Sequence, residues 1–307
     1  MVENIYKFLP TERTKLLHRR SLESPFSDIL LVIVFNFAHY THIPILNTLY
    51  QNIFPKIVFC GPEKNDEYNI TQTDLHKGYF SYMCMSNAMR EHSNFTGYLL
   101  INDDILLNFW NFKGLDKSKV WVGPTIPITI DNFTAPNKWY WWKSRWGKRQ
   151  CQKAFDEVHY LVNRNEPYLI TPYIDRLISN GNGVLYCFGG RSDVFYIPSK
   201  YADDFMLISS IFYKHKVFLE IAVPTIIRMI SEAHQREKLR GIYLPGRVGM
   251  QPVKDVRYLW RVYDLRLHFL HPLKLNYLNE SVLNYAVIQY LIKPIFNLYL
   301  AENESNR

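Results

Sequence analysis

The chain has 307 residues, 48% apolar and 21% charged, which suits one large domain or two small ones with a substantial core. Its net charge of +8 favours anionic partners, but the basic residues are spread over short runs (Lys15–Arg20, Lys143–Lys153, Arg236–Arg247) with no finger, K-homology or RNP-type motif, so no nucleic-acid partner is expected. GxxxxGK[ST], GxGxxG, GxSxG and HExxH are all absent, which argues against a P-loop enzyme, a Rossmann dehydrogenase, an α/β-hydrolase and a zincin.

In chain order, the segment before residue 29 has no apolar h-region and is taken as an N-terminal extension, so the chain is expected to carry no signal peptide. Residues 29–37, ILLVIVFNF, form a continuous β-branched run that predicts a strand buried on both faces. HIPILNTLYQNIF follows with helical spacing at Ile45, Leu46, Leu49 and Ile53. KIVFCGP is a second strand, stopped by Gly61-Pro62. The three together make a β-α-β unit. Residues 63–77 are polar and loop-like, residues 78–92 predict a helix, and 97–101 a further strand ending at Asn102-Asp103-Asp104.

Downstream, KVWVGPTIPITI is strand-like, and residues 138–165 hold a Trp-rich basic stretch followed by a helix through Val158–Val162. GVLYCFGGRSDVFYIP predicts two short strands about a glycine turn, and helical segments flank Lys214–Lys216. Residues 277–300 are apolar but broken by Asn284, Gln289, Lys293, Pro294 and Asn297, which argues against a membrane span. The expected fold is a single Rossmann-like α/β domain over 29–275, with a mostly parallel central sheet flanked by helices and a helical extension and tail at 276–307.

Four cysteines, Cys60, Cys84, Cys151 and Cys187, form no CxxC pair, so a structural zinc site is not expected. They fit either two disulfides, in any of three connectivities, or buried thiols. Sequons at Asn69, Asn94, Asn132, Asn279 and Asn303 lean toward a secretory-pathway lumen.

Asp103 and Asp104 raise the chemical question, because isolated carboxylates are costly to bury. In open α/β sheets the ligand crevice lies outside the carboxyl ends of the strands, which puts the pair at a crevice rim. A hard divalent cation accepts carboxylates with waters and substrate phosphates as its remaining ligands, so a metal-diphosphate site is plausible there. Asn36, Phe37, Ala38 and His39 after the first strand, and Gly61 and Pro62 after the second, face the same crevice and are expected to meet a nucleotide. Gly189 and Gly190 allow close backbone approach, and Ser192 and Asp193 can hydrogen-bond sugar hydroxyls. Trp139, Trp141, Trp142 and Trp146 could stack on sugar rings, although a hydrophobic cover over the sheet accounts for most of them equally well.

This order of strands, helices and acidic pair resembles the GT-A glycosyltransferase fold, closest to the fringe-like and β-1,3-galactosyltransferase-like enzymes. In that fold a DxD-type motif holds a divalent metal against the diphosphate of a nucleotide sugar. Asn102-Asp103-Asp104 stands where DxD would be, and Asn102 departs from it by bringing no charge. The resemblance implies Asp104 and Asp103 as metal ligands, Mn2+ first and Mg2+ second, with Asn102 and Asp103 beside the donor. In LHFLHPLKL it implies a further metal ligand, His271 in preference to His268. In YKHKVFLEIAVPTII it implies Glu220 as the base of an inverting transfer, with Asp193 next in line. The expected partners are a nucleotide-diphosphate sugar and a glycan or glycoprotein hydroxyl, and the expected location is the Golgi or ER lumen. The alternative, favoured by Asn102, is a non-catalytic glycan- or partner-binding protein on a degenerate transferase fold.

Overall fold

The computed structural model describes residues 26–123, 125–129, 139–164, 171–243, 259–261, 263–276 and 278–304. The basic run Lys15–Arg20 and the sequon at Asn132 lie outside them.

The central sheet has seven strands: β1 (Ile29–Val34), β2 (Lys56–Gly61), β3 (Thr71–Gln72), β4 (Gly97–Asn102), β6 (Val120–Val122), β9 (Val194–Pro198) and β10 (Arg236–Lys238). Their order is β10-β6-β9-β4-β1-β2-β3. The pairs β1–β2, β1–β4, β2–β3 and β6–β10 are parallel, and β9 runs antiparallel between β4 and β6. The sheet is therefore mostly parallel within a mixed α/β domain, as the β-α-β succession predicts.

Every residue of β1 and β4 is buried. Alternation of side chains divides them between two cores. Ile29, Leu31, Ile33, Leu99 and Ile101 face one side, against α1 (Ile43–Tyr50). Leu30, Val32, Val34, Tyr98 and Leu100 face the other. There α2 (Tyr82–Glu91), α3 (Lys148–Arg164), α4 (Thr171–Asn180), α5 (Ala202–Lys214) and α6 (Leu219–Ile230) pack on the sheet. The last helices, α7 (Leu278–Val287) and α8 (Lys293–Glu304), send Val287, Ile295 and Phe296 into the first core, where Phe296 meets Tyr50, Phe109 and Trp110.

Two smaller sheets complete the fold. β5 (Leu106–Leu107), β11 (Gly241–Tyr243) and β12 (Phe269–His271) form one, and β7 (Thr125–Thr129) pairs with β8 (Tyr186–Gly190) in the other. The segment that predicts two strands about a glycine turn thus contributes β8 and β9 to different sheets.

Of the cysteine alternatives, the disulfides are present, as Cys60–Cys84 between β2 and α2 and Cys151–Cys187 between α3 and β8. Disulfides persist in oxidising compartments. Asn69 and Asn94 are exposed. No helix among the described residues is long and apolar enough to cross a membrane.

Candidate functional site

The parallel register builds the site's floor. Val34 on β1 is level with Asn102 on β4 and with Cys60 on β2, so the loops that leave these strands rise side by side. The Asp103 N–H donates to Val34 O at 3.0 Å, which ties the acidic pair to the end of β1. Asn102 stays inside, 3% exposed, and its Nδ2 donates to Asp193 Oδ1 at 3.0 Å. The Asn102 N–H also donates to Asp193 O at 3.0 Å. Asn102 is therefore the post that fixes Asp193.

His271 arrives from the second sheet. β12 pairs antiparallel with β5 through Leu270 and Leu106, which carries the next residue, His271, toward Asp104. Its Nε2 lies 3.5 Å from Asp104 Oδ1 and 3.8 Å from Asp193 Oδ1. Asp104 is anchored from the same side, because the Leu273 N–H donates to its backbone oxygen at 2.7 Å and Lys274 Nζ donates to its Oδ2. His268 is excluded from this group. It is buried, its Nδ1 accepts the Arg240 N–H at 2.9 Å, and its ring packs on Phe112.

Glu220 enters from the first turn of α6. That helix start is fixed by its neighbours, since the Phe218 N–H donates to Trp146 O at 2.9 Å and the Leu219 N–H to Tyr79 O at 2.8 Å. Thr225 Oγ1, one turn on, accepts the Phe188 N–H at 2.9 Å and so docks α6 on β8. From the turn after β8, Arg191 Nη1 donates to Glu220 Oε1 at 3.2 Å. Tyr243 on β11 pairs with His271 in register, and its ring stands edge-on to the imidazole at 5.3 Å.

Burial dominates the electrostatics. It pushes the Asp103 carboxyl up to about 8, with the charge of Asp104 adding to the effect. Burial acts on Asp104 in the same direction, but Lys274 and His271 outweigh it and hold Asp104 below the usual carboxylate range. Burial, then the charge of Asp193, raises Glu220 to about 7 despite Arg191. A carboxyl near 7 exchanges protons at neutral pH, which is the range a general base needs.

Five buried polar atoms converge here with no hydrogen-bond partner: Asn102 Oδ1, Asp104 Oδ1, Asp193 Oδ2, Tyr243 Oη and His271 Nδ1. Buried polar groups in folded proteins are almost always satisfied, so such a group of orphans marks a place shaped for a ligand. Three of the five are acceptors without a hydrogen, a set that suits a hard cation or sugar hydroxyls. Among the described residues, however, no three His, Cys, Asp or Glu side chains close into a metal cage. Asp104 Oδ1 and His271 Nε2 could share one ion with modest movement, and a substrate diphosphate would have to complete its shell.

The expected nucleotide loops show mixed reasons for their residues. Phe37 is 51% exposed, directly beyond β1, with the His39 ring 6.0 Å away. Asn36 packs against Gly78, where a Cβ would come within 2.1 Å of Asn36 Oδ1. Gly61 has a packing reason of its own, since a Cβ there would meet the Tyr40 hydroxyl at 2.3 Å, and Pro62 follows it. Gly189 and Gly190 lie in β8, paired with Ile126 and Thr125. Ser192 is buried, its hydroxyl donating to Gly190 O at 3.1 Å. Trp142 is core, whereas Trp139, Trp141 and Trp146 are half-buried around Tyr79 and Phe218. The cover is the role these rings play here.

Sequence reasoning does not single out Arg191, Tyr243 or Lys274. Arg191 lies inside the Gly189–Asp193 motif and Lys274 three residues after His271, so proximity to a chosen residue is the signal that could have found them.

Comparison with known proteins bears on the first half of the chain. The model of one family, described as STELLO glycosyltransferases, matches residues 13–165, about half of the chain and a span that includes the acidic pair. Two curated Arabidopsis thaliana proteins, "Probable glycosyltransferase STELLO1" and "Probable glycosyltransferase STELLO2", are each 24% identical over 178 residues, or 57% of this chain. The chain spans only 21% of the length of either relative. What it resembles in sequence, around the strands that carry Asp103 and Asp104, is the STELLO glycosyltransferases.

Proposed function

We propose that this chain transfers a sugar from a nucleotide-diphosphate sugar to a hydroxyl of a glycan or glycoprotein, with inversion at the anomeric carbon. The observation that carries the reading is the knot of unpartnered buried polar atoms at the carboxyl ends of β1 and β4, with Glu220 beside it. Similarity to glycosyltransferases over the strands bearing the acidic pair supports the same reading. Asp104 and His271 would hold a divalent cation, Mn2+ first, with Asp103 nearby on the cation or the ribose. Bound there, the metal would supply charge stabilisation for the departing diphosphate.

The remaining steps belong to the chain. Phe37, Asn36 and His39 on one loop and Gly61 and Pro62 on the next would receive the nucleoside. Gly189, Gly190 and Asn102 would frame the donor. Glu220 takes the proton from the acceptor hydroxyl, and that oxygen attacks the anomeric carbon on the face opposite the bond to the diphosphate. That bond breaks with its electron pair leaving on the diphosphate, and the configuration inverts. Asp193, held by Asn102, lies close enough to Glu220 to raise its basicity. The two disulfides and the exposed sequons support work in a secretory-pathway lumen, Golgi or ER.

A panel of nucleotide sugars, screened by thermal shift with and without Mn2+, tests the reading. One donor should stabilise the protein in a metal-dependent way and be consumed when glycan acceptors are added. A second reading, a glycan-binding protein without catalysis, is favoured by the uncharged Asn102. It would show as glycan binding with no response to any nucleotide sugar.

A further inference from the structure

Arg191 has no task in the transfer just described, yet it grips the group that must act. Its side chain is 49% exposed, while that of Glu220 is 12% exposed. Its Nη1 donates to Glu220 Oε1 at 3.2 Å, and its Cζ stands 5.5 Å from the centroid of the Tyr243 ring. A half-exposed guanidinium on a turn thus reaches inward to a mostly buried carboxylate. An oxygen held in this way is a poorer proton acceptor than a free one.

The charge census shows what could draw the guanidinium off. Asp104, Asp193 and Glu220 line the site, with Arg191 and Lys274 paired to Glu220 and Asp104. A diphosphate entering this field needs positive partners. Guanidinium pairs with phosphate through two parallel hydrogen bonds, a match that a single 3.2 Å contact to Glu220 does not offer. The face of Tyr243 can keep contact with the cation as it turns.

On the basis of the transfer reading, we infer that Arg191 is exchanged between two anions: it holds Glu220 while the site is empty and turns to the donor's diphosphate when the donor binds. Glu220 is then released only in the donor-loaded site, so acceptor activation follows donor binding. Arg191 is a positioning residue for Glu220 and a binding residue for the donor.

A double-mutant cycle on diphosphate affinity tests this. The probe is the tightest binder among UDP, GDP, ADP and CDP, titrated calorimetrically into the full chain with Mn2+ present, with pyrophosphate as the base-free control. Arg191→Ala should weaken binding ~10- to 150-fold, the range for a lost charge-assisted hydrogen bond. Glu220→Gln should tighten binding by about fivefold or more, because the competitor for Arg191 is gone. In the Arg191→Ala background the same Gln substitution should change affinity by less than about twofold. If the gain persists without Arg191, it is simple removal of a negative charge and the exchange is wrong. If Arg191→Ala binds like the parent, Arg191 does not touch the diphosphate and the inference fails. Should Glu220→Gln not fold, Glu220→Asp, which shortens the reach to Arg191, takes its place in the cycle. A folded parent that binds none of the probes overturns the transfer reading itself, an outcome distinct from an additive cycle.

Discussion

Two carboxylates in this protein each keep a lysine and a histidine for company, and they do different things. Glu157 on α3 accepts from Lys214 Nζ at 2.9 Å and pairs with His215 Nε2 at 2.7 Å. Asp104 accepts from Lys274 Nζ and has His271 Nε2 at 3.5 Å. Lys214 and His215 satisfy both oxygens of Glu157 and hold its carboxyl below its usual range against the effect of burial. Asp104 keeps one buried oxygen without a hydrogen-bond partner and has Asp103 beside it, raised to about 8 by burial and by the charge of Asp104. A carboxylate, a lysine and a histidine thus make a finished surface clasp in one place and an unfinished pocket in the other. Kinds of side chain do not separate the two places; unmet hydrogen-bonding demand does.

The largest effect is expected at the pocket's own acid. On the transfer reading, Glu220→Gln keeps the shape and removes the base, so transfer should fall ~10²–10⁴-fold while donor affinity is kept or improved. The parent's kcat/KM should also climb as pH rises through about 7, where Glu220 of the free protein loses its proton, and then level off. The Gln variant should lack that climb. Near-parental turnover in the variant, or a flat profile in the parent, would make Glu220 structural.

Next in size is Asp104. At a hundredfold excess of ligand over its Kd, binding stabilises a protein by about 2.7 kcal/mol. Asp104→Asn should lose most of the Mn2+-dependent stabilisation by nucleoside diphosphate, read as the shift in Tm. An unchanged shift would remove Asp104 from the metal site. Phe37→Ala comes after it. Loss of a stacked base costs about 1–3 kcal/mol, so nucleoside diphosphate should bind more weakly while pyrophosphate is unaffected. Equal loss for both probes would place the base elsewhere.

The smallest effect is expected at the surface clasp. Glu157→Gln should cost under about 1 kcal/mol in a denaturant titration, as for partly exposed ion pairs, and leave diphosphate binding untouched. A binding defect in this variant would mean that the surface clasp communicates with the pocket.

What was legible in the sequence follows from what is local. β1, β2 and β4 are visible as apolar runs because burial on both faces demands unbroken hydrophobicity, and Asn102-Asp103-Asp104 is visible as the place where that run stops. Glu220 stands out as a lone carboxylate at the start of an apolar helix. The partners of β9 are not legible. Its residues look like those of any buried strand, and its antiparallel seat between β4 and β6 is settled by contacts about 100 residues apart, such as Tyr98 with Ile197. Arg191 and Lys274 are hidden for another reason. They are two of 36 basic residues, and only the folded chain shows which of these lean on a buried carboxylate.

The seat of β9 has a consequence for any attempt to divide the molecule. The stretch matched by the family model ends at residue 165, before β9 begins. A fragment cut there would keep β4, buried on both faces in the whole chain, as the outermost strand of its sheet. Its unpaired N–H and C=O groups would then form an open, flat and apolar edge, the kind that recruits a second copy of the same strand. Such a fragment should self-associate, and its aggregation would report the missing strand, saying nothing about the chemistry at Asp104.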